Sequence, residues 1–113
     1  MISHHSFFDE ATRQLESDIL SFGWLRQLAE RDFGHSPGAD SQGAVIDLSY
    51  ALVESGIAVV GAAKNDGKMV LIHSWIERGD ALKEKMTHEV NRASPEGKDW
   101  VFWLQLAEHY NRK

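Results

Sequence analysis

Three carboxylates, Asp40, Asp47 and Glu54, recur at intervals of seven residues, with Tyr50 between the last two. That interval keeps side chains on one stripe of a helix. At about 100° per residue with Asp47 at the origin, Glu54 falls near −20° and Tyr50 near −60°, while Leu48 and Leu52 fall near +100° and +140°. The outward face of such a helix is therefore acidic and aromatic. The chemistry it offers is recognition of a cationic surface, because carboxylates oppose basic partners and Tyr is favoured at interface hot spots. The competing meaning is a solvated face on which Asp40 serves as a helix cap.

Bond-making chemistry finds less support. The string contains no G-x-S-x-G, G-x-x-x-x-G-K-[ST] or G-x-G-x-x-G, so no nucleophile, base or phosphate loop is assigned and a non-enzymatic role is expected. His4 and His5 are adjacent near the N-terminus, and His35, His73, His88 and His109 stand apart without H-x-x-x-H spacing. Metal sites need ligands in clusters, so neither a metal nor a cofactor is expected. Glu84 and His88 form an i,i+4 couple that reads as a helical surface pair.

Charge sharpens the choice of partner. Residues 1–62 hold nine acids against three bases, a balance of −6, while residues 63–113 hold eight acids and nine bases. An acidic first half is ill-suited to a polyphosphate, which argues against nucleic acid. Over residues 41–55 only Gln42 offers a side chain of the kind that reads base edges. The absence of cysteine suits a reducing compartment. No apolar run approaches the ~20 residues of a membrane-spanning helix, and no signal-peptide pattern opens the chain, so a cytoplasmic protein with no membrane partner is expected.

The elements that must carry these residues follow from periodicity. At 113 residues, 42% apolar and 26% charged, the chain has the size and composition of a single globular domain. Phe8, Ala11, Leu15 and Ile19 predict a first helix over 7–20, opened by Ser6 with Asp9. A second helix is expected over 24–33, and a third over 41–55, capped by Asp40 or Ser41 and closed by Gly56. Ile57–Val60 and Met69–Ile72, joined by a turn at 64–68, predict a β-hairpin. Asp80 is expected to cap a fourth helix to about residue 92, with Leu82, Met86, Val90 and Ala93 on one face. Trp100–Leu106 reads as a buried strand, on which Trp100 and Trp103 would point to opposite faces. Trp24, Trp75 and Trp103 are then expected in the core, and an exposed Trp100 would mark an interface, with a second copy of this chain as one occupant.

Three helices followed by a hairpin, a helix and a strand form an α+β domain that resembles the winged-helix arrangement, with residues 41–55 in the place of the recognition helix. Residues 41–76, built around Leu52–Gly61 and closing at Trp75, resemble small winged-helix-like bacterial domains. The expected function is protein binding, on the pattern of the small acidic immunity proteins that block basic bacterial toxins or nucleases, through Asp40, Asp47, Tyr50, Glu54 and Trp100. The winged-helix resemblance also implies a rival, a DNA-binding regulator touching phosphate through Lys64 and Lys68 at the hairpin tip.

Overall fold

Ser6 accepts a hydrogen bond from the Asp9 amide at 3.0 Å and so caps α1 (Phe7–Leu15), whose Ala11 and Leu15 are buried. The computed structural model describes residues 6–65 and 70–110. Helix α1 stops at Leu15, short of the predicted end at residue 20. Leu20 is drawn instead into a two-residue strand, β1 (Leu20–Ser21), where Leu20 pairs with Leu104. No Gly or Pro marks this stop, so sheet pairing overrides the helical periodicity.

Ser21 then caps α2 (Phe22–Asp32), its hydroxyl accepting the Trp24 amide at 3.1 Å. Helix α3 (Ala39–Glu54) starts differently from the expectation. Gly38, at φ 102°, occupies the cap position, and neither Asp40 nor Ser41 acts as its side-chain cap. Its far end is as predicted: Gly56 sits at φ 81°, the Ile57 amide bonds the Leu52 carbonyl and the Gly56 amide bonds that of Val53, the double closure of a Schellman motif.

The hairpin strands are β2 (Ala58–Asn65) and β3 (Val70–Ser74), longer than periodicity predicts. Its tip at 66–69, with Lys68, lies outside the described residues, as do the Lys64 side chain and His4 and His5. Helix α4 (Asp80–Arg92) follows Gly79, which takes the cap position expected of Asp80. A 3-10 turn (Lys98–Trp100), β4 (Trp103–Leu106) and a short α5 (Ala107–Tyr110) complete the order.

The architecture is mixed α+β, with an antiparallel sheet of order β1-β4-β2-β3. Leu20, Leu104 and Val60 stand in register across three strands and join Leu25, Val45, Leu52, Leu82 and Met86 in one hydrophobic core. Burying each such side chain contributes about 1.5–3 kcal/mol. Phe22 and Phe102 meet edge to face at 5.3 Å, and Trp75 meets Phe102 likewise at 6.0 Å. The next register row runs Ser21, Trp103, Gly61 on the opposite sheet face, and a Cβ on Gly61 would stand 1.9 Å from the His73 carbonyl oxygen. Among the described residues no helix is long and apolar enough to cross a membrane.

Candidate functional site

The acids of α3 all meet partners within the fold. Asp40 accepts the Ser36 amide at 2.8 Å and lies 3.3 Å from His35 Nδ1; these bonds, Ser36's foremost, hold its carboxyl below the ordinary range. Asp47 Oδ1 is 3.0 Å from Lys83 Nζ on α4, and that bond raises the ammonium's pKa. Glu54 Oε2 accepts the Gly79 amide at 3.1 Å, at the start of α4. Tyr50 is half-buried against the core, with Lys83 Nζ 5.6 Å from its ring centroid. The stripe holds α3 to α4 and to the loop before it.

A different surface has the geometry of a binding site. A cleft of about 360 Å³ opens where α1, β1, α2 and the 3-10 turn meet, with Trp24, Trp100 and Trp103 among its walls. That volume is at the lower end of the ~300–1,000 Å³ of sites that hold small molecules. Trp100 is 60% exposed, and its ring stacks on Trp103 at a centroid distance of 5.6 Å and 21° between planes. The expectation of opposite faces fails because Trp100 lies in the 3-10 turn, before the strand begins. Trp24 and Trp75 are half-buried and pack against the core, as expected, whereas Trp103, also half-buried, is not among the side chains packed on it. Ile76, 89% exposed in the loop before α4, does not line this cleft, and three other depressions among the described residues carry no Phe, Tyr or Trp in their walls.

Gly23 makes this corner possible. A Cβ there would stand 2.4 Å from Asp99 Cβ, so only a residue without a side chain lets the 3-10 turn lie against α2. The turn is pinned by Arg26, whose Nη2 donates to Asp99 Oδ1 at 3.1 Å and whose Nη1 donates to Glu30 Oε2 at 3.0 Å. Burial opposes the charge of Arg26, but the bonds to Asp99 and Glu30 outweigh it and raise its pKa. The fully buried Ser41 donates to Glu30 at 2.7 Å, and this bond, followed by that of Arg26, keeps the Glu30 carboxyl below its ordinary range.

The charged groups around the tryptophans, Asp18 and Asp99, are both acceptors, while Gln14 and the exposed Gln27 add amides able to donate or accept. Asp18 is exposed and has no ion-pair partner among the described residues; its Oδ1 accepts the adjacent Ile19 amide at 2.8 Å. Asp99 Oδ2 has no hydrogen bond among the described residues. Gln14 turns its amide nitrogen to Glu10 at 2.7 Å, leaving its carbonyl oxygen as the remaining acceptor. The Ser21 hydroxyl, the cleft's one side-chain alcohol, is occupied in capping α2. Such a lining suits a donor-rich, positively charged group and opposes an anion.

Of these residues only Trp100 is singled out as a contact by the sequence. Asp18, Asp99 and Gln14 go unnoticed because no motif links them; the available signal was Gly23 inside a helical run between Phe22 and Trp24, where glycine marks close approach. Comparison with family models, with curated proteins and with solved structures finds no match to this chain.

Proposed function

We propose that this domain is a non-enzymatic protein-binding module that occludes a basic partner, in the manner of a small acidic immunity protein, and that its contact surface centres on the tryptophan cleft. The observation that carries this reading is Trp100, largely exposed and stacked on Trp103, in one cleft with the Asp18 carboxylate, which has no ion-pair partner among the described residues. Aromatic side chains, Trp among them, are frequent anchors of interfaces, and carboxylates beside them complement a basic partner. Helix α3 supports the same role indirectly, its acids holding the scaffold on which the cleft is built.

The test mixes the domain with the products of the genes flanking its own and measures complex formation by size exclusion with light scattering. A stoichiometric complex, weakened at least about tenfold by Trp100→Ala, is expected. No complex with either product, or one indifferent to Trp100→Ala, overturns the reading. A shift of random duplex DNA at low salt would favour the regulator instead.

A further inference from the structure

Resting on the protein-binding reading, we infer that the cleft is a receptor for an arginine side chain of the partner, its guanidinium laid over the open face of Trp100 and its N–H groups directed to Asp18 and Asp99. Three features converge on that chemistry. Trp100 has one face covered by Trp103 and is still 60% exposed, so it offers a single flat platform rather than a sandwich. The cleft wall that holds this platform also holds the Asp18 carboxylate, Asp99 Oδ2 and the Gln14 side-chain carbonyl, and its charged side chains are those two carboxylates, which call for donors and for positive charge. The third is the position of Arg26, which already bonds Asp99 from the inner side, showing that this carboxylate accepts a guanidinium and leaving its second oxygen for another.

Arginine fits better than lysine for geometric reasons. A guanidinium is planar, stacks on an indole and distributes five donors in a rigid fork, whereas an ammonium is a compact, strongly hydrated point charge. A phosphate or carboxylate ligand would meet two carboxylates without a compensating free cation in the wall. Among the described residues a second copy of this chain is a weaker occupant, since Arg13, Arg26, Arg31, Arg78 and Arg92 are each engaged within the fold.

The experiment titrates acetyl-arginine amide and acetyl-lysine amide into the full chain labelled with 15N-tryptophan. It follows the indole N–H signals of the four tryptophans, assigned with Trp100→Ala and Trp103→Phe. Saturable movement of the Trp100 and Trp103 signals is expected, at least about fivefold tighter for the arginine probe. Asp18→Asn, at an exposed position that leaves the fold intact by near-ultraviolet circular dichroism, should weaken it at least about threefold. Equal response to both probes, no response to arginine, or a dimer dissolved by Trp100→Ala each overturns the assignment. The two readings fail separately: a partner complex that depends on Trp100 with a silent arginine probe removes only the guanidinium. An arginine response without any partner complex removes the protein-binding role.

Discussion

Helix α3 and the corner at Lys98–Trp100 both present carboxylates at the surface, and they differ in what those carboxylates already hold. On α3, Asp40, Asp47 and Glu54 are engaged by Ser36 and His35, by Lys83 and by the Gly79 amide. At the cleft, Asp18 stands without an ion partner among the described residues, and Asp99 spends one oxygen on Arg26. Negative charge along a chain therefore locates acids without saying which are available. Availability depends on whether a folded neighbour supplies a donor, and α4 supplies donors to α3.

Two helical glycines break the comparison most sharply. Gly23→Ala places a Cβ 2.4 Å from Asp99 Cβ, and a loss of about 1–3 kcal/mol is expected from the overpacking, together with loss of the coupled tryptophan signal in near-ultraviolet circular dichroism. Gly43→Ala on α3 meets nothing within 4 Å, and a gain of about 0.5–1 kcal/mol is expected there. Denaturant unfolding of both variants measures the opposite signs; a stable Gly23→Ala with an unchanged tryptophan signal would disprove the packing account of the cleft.

A smaller effect belongs to Ser41→Ala, which removes the leading cause of the lowered Glu30 pKa. Because the folded pKa lies below the unfolded one, this stabilisation is complete above the unfolded carboxyl's pKa of about 4.3 and is lost as pH falls through the lower folded value. The variant should be less stable than the parent at neutral pH, and their unfolding midpoints should converge on acidification. A gap that widens toward low pH would contradict the assignment. The smallest effect is expected for Lys83→Met, which frees Asp47 at an exposed pair: a slight loss at low salt that disappears at high salt, read from the same midpoints.

Much of the scaffold was legible because its signals are local. The inner face of α4 through Leu82, Met86 and Val90, the Gly56 closure of α3 and the Ser6 cap of α1 each depend on residues within a turn or two of one another. The end of α1 was not legible, because pairing of Leu20 with Leu104 across the sheet decides it. The start of α3 was misread for a related reason. Asp40 and Ser41 are competent caps, but the fold spends them on the His35–Ser36 loop and on Glu30.

The amino-acid order by itself determined the α+β class, the rough order of the main elements, many of the apolar positions that fill the core and an acidic first half, because periodicity, turn chemistry and charge are properties of neighbours along the chain. Only the tertiary structure decided which acids are engaged and which tryptophans share a wall. Asp18, Trp24 and Asp99 come together through the close passage of the 3-10 turn over Gly23, and Trp100 reaches Trp103 because that turn precedes the strand. Contacts of that kind join residues far apart in the chain, where spacing carries no information about distance.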